Sequence, residues 1–263
     1  MRSDFEPITR KLGNGSIEVL PISDVHYGAV EHNAEAWEKL LKYVCDNPHV
    51  YVIIGGDMMN NATRSSVSNI FEETVRPRDQ KRYMVKALEP IRDKVLCLVP
   101  GNHERRSVKD ADDEPLYDIA CCLDLEEYYR PNIAFMCVQL GDKGDGYARE
   151  NYKFAVTHGA GGGIYTGATV NRNERFGNII EGIDVLLVGQ THKGTVSRPS
   201  KIVFDIVRNT VYQKEYVVMS MVSWMSYGGY AAQKMLLPST HSQPQRIILK
   251  DSPTHDKKVE VIW

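Results

Sequence analysis

The sequence predicts an α/β fold whose chemistry is gathered along one edge of its strands, and three observations predict it. Short apolar runs alternate with stretches of helical periodicity. Five of those runs break at or beside Gly, Pro or Ser, or end directly at a His, and deliver Asp, His, Asn or Gln within a few residues. Apolar residues make up 42% and charged residues 25% of 263, enough for one large domain with a substantial core.

The segment that organises the rest is Leu98-Val99-Pro100-Gly101-Asn102-His103-Glu104-Arg105-Arg106, a short strand that breaks at Pro-Gly and then carries polar groups in succession. Four further strands end the same way. Residues 17–23 run into Asp24-Val25-His26, and residues 50–54 into Gly55-Gly56-Asp57. Residues 152–157 run into His158-Gly159, and residues 184–188 into Gly189-Gln190-Thr191-His192. In an open sheet only the strand ends meet solvent, so ligands collect there. The edge offers Asp24, His26, Asp57, Asn102, His158, Gln190 and His192. Carboxylate, imidazole and amide oxygen without thiolate suit divalent Mn, Fe or Zn.

The other elements come in order. Residues 1–15, with the turn Gly13-Asn14-Gly15, are expected to form an N-terminal arm or hairpin ahead of the first core strand. Ala36, Trp37, Leu40, Leu41 and Val44 recur at helical spacing over residues 33–45, with Asn33 as N-cap. Residues 61–90 read as one or two helices interrupted near Pro77. The basic stretch Arg76, Arg78, Lys81, Arg82 is a solvated helix face, with contact to an anionic substrate as the alternative. A helix is expected over 116–123 and a strand over 133–138. Gly141–Gly146 resembles a calcium loop only superficially, lacks the closing Glu, and is expected to be a hairpin turn. Gly159-Ala160-Gly161-Gly162-Gly163 is a flexible loop or a backbone cradle for phosphate. Residues 193–263 are β-rich, with strands over 201–207, 216–221, 245–249 and 257–262, and complete the sheets. Ser223–Tyr230 is aromatic and broken by glycine; it is read as core or subunit contact, with base stacking as the alternative.

Composition narrows the function classes. A formal net charge of −2 gives no support to a broad nucleic-acid surface. No apolar run is long enough to span a membrane, and Met1–Glu6 lacks a signal-peptide layout, so a cytoplasmic protein is expected. The five cysteines, Cys45, Cys97, Cys121, Cys122 and Cys137, show no C-x-x-C spacing and are read as buried free thiols.

The series D-x-H, G-D, G-N-H-E, H-G and G-x-x-H, each element after an expected strand and in this order from Asp24 to His192, resembles the calcineurin-like metallophosphoesterase superfamily, on its phosphodiesterase and nuclease side. The resemblance implies a four-layer α/β/β/α sandwich of two mixed sheets, with two divalent ions at the strand ends. Mn is the expected metal, with Fe, Zn, Ni or Co as alternatives. It implies that Asp24, His26 and His192 hold one ion, that Asn102 and His158 hold the other, and that Asp57 bridges. It also implies a bridging hydroxide as nucleophile, His103 as a candidate general acid and Glu104 as a supporting residue.

Two departures from that pattern stand out. The family's G-H-x-H reads Gly189-Gln190-Thr191-His192, so a neutral amide replaces an imidazole and a looser second site is expected. Three residues after Asp57 stands Asn60 instead of Asp or His. If Asn60 contacts His103, it lacks the charge that would raise the imidazole's proton affinity. For substrate phosphate, Arg105 and Arg106 are candidates, with pairing to Asp110, Asp112 and Asp113 as the alternative; Arg64 is a third candidate. The expected activity is hydrolysis of a phosphodiester, with nucleic acid or a nucleotide as substrate. The alternatives are a phosphomonoesterase and a non-catalytic metal-binding or regulatory module. A homo-oligomer is compatible with the sequence.

Overall fold

The computed structural model of the chain describes residues 3–64, 66, 70–141, 150–161, 165–233, 235–238, 245–251 and 259–263. The first half runs β1 (Ile8–Lys11), β2 (Ile17–Ile22), α1 (Ala34–Asp46), β3 (Val50–Ile54), α2 (Pro77–Leu88), β4 (Val95–Leu98), α3 (Glu104–Ala111) and α4 (Pro115–Cys122). Then come β5 (Ile133–Leu140), β6 (Glu150–Thr157), α5 (Thr166–Asn178), β7 (Val185–Val188), β8 (Thr195–Ser197), β9 (Ser200–Asp205) and β10 (Thr210–Glu215). The chain closes with β11 (Val217–Ser220), α6 (Gly229–Gln233), β12 (Arg246–Leu249) and β13 (Val259–Ile262).

Two mixed sheets stack face to face. One has the order β1-β5-β6-β7-β11-β8, the other β13-β12-β2-β3-β4. Because side chains alternate along a strand, each sheet presents apolar groups both inward and outward. Val19, Ile53 and Leu96 meet Val138, Phe154, Leu187 and Met219 between the sheets. On the outside, Leu20, Ile22, Val52 and Ile54 pack against Trp37, Leu40 and Val44 of α1, Met84 and Leu88 of α2, and Leu116 and Ile119 of α4. Ala155, Leu186 and Val218 of the other sheet are covered by Phe176 of α5. The result is the four-layer α/β/β/α sandwich. Each fully buried Val, Leu or Ile contributes about 1.5–3 kcal/mol.

Local chemistry explains most boundaries. The Asn33 side chain accepts the Ala36 N–H at 3.1 Å and starts α1. Pro77 sits in the first turn of α2, where its missing N–H costs nothing, so it begins that helix and does not interrupt one. Lys81 of α2 pairs with Asp113 and Asp118, at 2.7 and 2.6 Å, and Arg82 lies 3.4 Å from Asp79. Arg76, Arg78 and Arg82 are exposed, so most of the basic stretch is the solvated face expected, with Lys81 paired within the protein.

The N-terminal segment is an edge strand and makes no hairpin with β2: β1 pairs parallel with β5, and Ile8 is buried between the sheets. Asp4 ties it down by accepting the Asn132 and Ile133 N–H groups. Three cysteines, Cys45, Cys121 and Cys122, are exposed; none of the five is in a disulfide, and Cys97 is the fully buried one. Trp224 of the aromatic segment is buried against Trp37, whereas Tyr227 is half exposed. The expected turn at 142–146 and Gly162 and Gly163 lie outside the described residues.

Candidate metal centre

The carboxyl ends of β2, β3 and β4 in one sheet and of β6 and β7 in the other converge on one place. The backbone there is bent into a conformation that L-residues avoid: φ is positive at Asp24 (55°), His26 (48°), Asp57 (52°), Gln190 (71°) and His192 (56°). Each left-handed residue costs about 1–2 kcal/mol, and such strain concentrates where side chains are held for function. Backbone bonds hold these turns, with Asp24 N–H donating to Gly56 O at 3.0 Å and His26 N–H to Asp57 O at 2.9 Å. Close approach of backbones matters as well. A Cβ on Gly101 would lie 2.0 Å from Asp57 Oδ1, and one on Gly56 would lie 2.3 Å from Gly101 N.

Six of the seven expected ligands come together by side chain. His192 Nε2 lies 3.1 Å from Asp24 Oδ1, and His26 Nε2 lies 3.8 Å from both Asp24 Oδ1 and Asp57 Oδ2. On the other flank, His158 Nε2 is 3.2 Å from Asp57 Oδ2 and 3.0 Å from Asn102 Oδ1. His103 Nε2 is 3.8 Å from the same Asp57 oxygen. Gln190 joins through its backbone, whose N–H donates to Asp24 Oδ2 at 3.1 Å.

The donor set fits divalent cations. Asp24 and Asp57 are buried, and Asp24 Oδ1 and Asp57 Oδ2 have no hydrogen-bond partner while facing imidazole nitrogens. Three sets of three side chains have ligand atoms within 4.8 Å of one another: Asp24, His26, His192; His26, Asp57, His103; and Asp24, Asp57, His158. Burying two carboxylates this close requires positive charge between them. The titration directions agree. Burial opposes ionisation of Asp24, yet His192 and His26 hold its carboxyl well below the usual range. Asp57 is likewise depressed, by His158 and His103 against burial. Burial disfavours charge on His158, but Asp57 and Asp24 raise it to about 10.

A second layer aims these groups. His158 Nδ1–H donates to Gly55 O at 2.8 Å, which presents Nε2 to the cluster. Glu104, fully buried, accepts four backbone N–H groups, from Asp57 (2.9 Å), Met58 (2.7 Å), Met59 (3.2 Å) and Gly101 (2.8 Å). One carboxylate therefore fixes the loops after β3 and β4 together.

The remaining candidates separate. Asn60 reaches His103 through its backbone carbonyl, at 2.7 Å from Nδ1, while its side-chain amide donates to Glu73. Arg106 Nη1 donates to the same carbonyl at 3.0 Å, and its Nη2 donates to His103 Nε2 at 2.9 Å. Burial pushes His103 down to about 3, with the Asp57 charge opposing and His26 and Arg106 adding to the depression. Arg105 turns away to the Pro131 carbonyl at 2.5 Å, and Arg64 is exposed in a turn without a described contact. Sequence reading missed Glu73, which also accepts from Gln80 Nε2 and Ala62 N–H. It lies in a polar loop with no motif to mark it.

Comparison with known proteins identifies the family. The calcineurin-like phosphoesterase family model matches residues 17–207, from β2 into the turn after β9. The chain belongs to the calcineurin-like phosphoesterase family, whose members are metal-dependent phosphoester hydrolases. Similar solved structures include a metallophosphoesterase from Sphaerobacter thermophilus, 15% identical, covering 94% of this chain and 89% of that one, with a TM-score of 0.42. A conserved uncharacterized protein and predicted phosphoesterase from Streptococcus pneumoniae TIGR4 is 13% identical, with coverage of 94% and 89% and a TM-score of 0.38. The calcineurin-like phosphoesterase YfkN from Bacillus subtilis is 11% identical, with coverage of 94% and 90% and a TM-score of 0.37. No curated protein matches the chain. No helix among the described residues is long and apolar enough to cross a membrane.

Proposed function

We propose that the chain is a binuclear phosphodiesterase whose two ions share Asp57. The observation that carries this reading is the position of Asp57 Oδ2, unpartnered and 3.2–3.8 Å from the Nε2 atoms of His26, His103 and His158. Asp24, His26 and His192 would hold one ion; His158 and Asn102 would hold the other. Bound there, divalent ions would neutralise phosphate oxygens and activate water for attack on phosphorus. Mn suits the imidazole, carboxylate and amide donors, and Fe, Zn, Ni and Co are the metals to compare with it.

The chain's own residues supply orientation. Arg106, held against Asn60 O and His103, is a guanidinium beside the cluster and would bind a phosphate oxygen. A nucleotide or nucleic-acid strand is the corresponding natural substrate. Gln190, which joins the cluster by its backbone N–H and offers no imidazole, would leave the second ion more loosely held, so Gln190→His should tighten it.

Hydrolysis of matched aryl phosphate mono- and diesters by metal-stripped protein refilled with Mn tests the reading. Faster turnover of the diester supports it. Preference for the monoester would make the chain a phosphomonoesterase, and no turnover with any of the five metals would make it a metal-binding module.

A further inference from the structure

The β9–β10 ribbon stands outside both sheets and outside the ligand cluster. It leaves the six-stranded sheet after β8 and returns ahead of β11. β11 runs parallel to β7, from Val217 beside Val185 to Ser220 beside Val188, and Val188 is the end that leads to His192. The ribbon therefore emerges at the edge opposite the metal ligands.

Register decides which side chains share a face. Phe204 pairs with Val211 and Ile202 with Gln213, so Ser200, Ile202, Phe204, Val211, Gln213 and Glu215 lie on one side. The other side is anchored to the protein. Lys201 Nζ donates to the carbonyls of Gly177, Asn178 and Ile180 at 3.0, 3.1 and 2.6 Å, and Lys214 Nζ lies 3.5 Å from Asp184. The first face has no cover: Ile202 is 81% exposed, Phe204 66% and Val211 65%, and the turn adds Ile206 at 71% and Val207 at 92%.

We propose that this face is the contact between two copies of the chain, packed against each other about a two-fold axis. Ile202, Phe204 and Val211 share this face, and with Ile206 and Val207 exposed in the turn beside it they offer roughly several hundred Å² of apolar surface, as much as a monomer leaves in one patch and of the order of the ~800 Å² each partner gives to a stable interface. A two-fold axis lets one patch serve as both halves of the contact. A two-stranded ribbon is marginal alone in water, and a second ribbon packed on its open face supplies the missing layer. The charge on the face argues for a protein partner. Its polar members are Ser200, Gln213 and Glu215, so among the described residues this face carries no cation for phosphate or anionic lipid, and Arg208 of the turn lies 3.8 Å from Asp205.

Sedimentation equilibrium of the full chain, in parallel with Phe204→Glu and Val211→Lys, tests this. The expected result is twice the chain mass at micromolar concentration, with the dissociation constant rising at least about 30-fold in each variant while the far-UV circular dichroism spectrum is unchanged. Both substitutions sit on the uncovered face; should either fail to fold, amide exchange of residues 200–215 in the unaltered chain replaces it. Exchange that slows as concentration rises supports the contact. A monomer at all concentrations, a dimer that persists in both variants, or a monomer that binds anionic vesicles through this face would overturn it.

Discussion

The backbone carbonyl of Asn60 accepts the Nδ1–H of His103 at 2.7 Å. A carbonyl can only accept, so this bond places the proton on Nδ1 and leaves Nε2 as the acceptor for Arg106 Nη2. The side chain of residue 60 is thus absent from the interaction the sequence anticipated, and Arg106 takes up the position beside the imidazole.

Arg106→Lys should lower kcat on an aryl phosphodiester by about 10²–10³, the usual cost of losing one placed donor, because an ammonium lacks the planar fork whose two nitrogens reach Asn60 O and His103 while others remain for phosphate. Titration calorimetry should show Mn affinity unchanged. Unchanged turnover would remove Arg106 from the site.

Glu104→Gln should reach both stability and metal. An amide keeps one acceptor oxygen and turns a donor toward N–H groups that need an acceptor, at a cost of about 1–3 kcal/mol in urea unfolding. The loops that carry Asp57 and Asn102 then lose their common tie, and Mn affinity should fall about 10–100-fold. An unfolding midpoint and an affinity both equal to those of the parent would contradict this.

Gly101→Ala isolates geometry from charge. The added methyl would sit 2.0 Å from Asp57 Oδ1 and 2.4 Å from Asp57 N, so the Asp57 carboxylate must move. Metal affinity should drop about 10–100-fold while every donor remains present. Calorimetric titration checks it; parent-like affinity would show that the loop can yield.

The candidate metal ligands are legible because each comes after a strand and in order, so Asp24, His26, Asp57, Asn102, His158 and His192 can be proposed without their distances. What the sequence does not convey is direction. Arg105 and Arg106 are equivalent as text, but on a helix they point about 100° apart, and one meets Pro131 while the other meets His103. α3 passes for a loop, because its polar residues show no apolar stripe. β1 passes for an arm or hairpin because its parallel partner, β5, lies more than a hundred residues away. β10 is hidden by its exposure on both faces, which removes the alternation that marks a strand.

The cysteines give a check on the fold that needs no substrate. Burial pushes the Cys97 thiol up to about 12, whereas Cys45, Cys121 and Cys122 are exposed. At neutral pH those three should react with a thiol reagent quickly and Cys97 only on unfolding. Rapid labelling of Cys97 in the native chain, mapped by peptide mass, would contradict the packing between the sheets.

If Asp57 joins two ions into one centre, calorimetric titration of Mn into metal-stripped protein should count two ions per chain for the parent and at most one for Asp57→Asn, with loss of phosphodiester turnover in the variant. A single ion in the parent, or two ions and full turnover in Asp57→Asn, would contradict it.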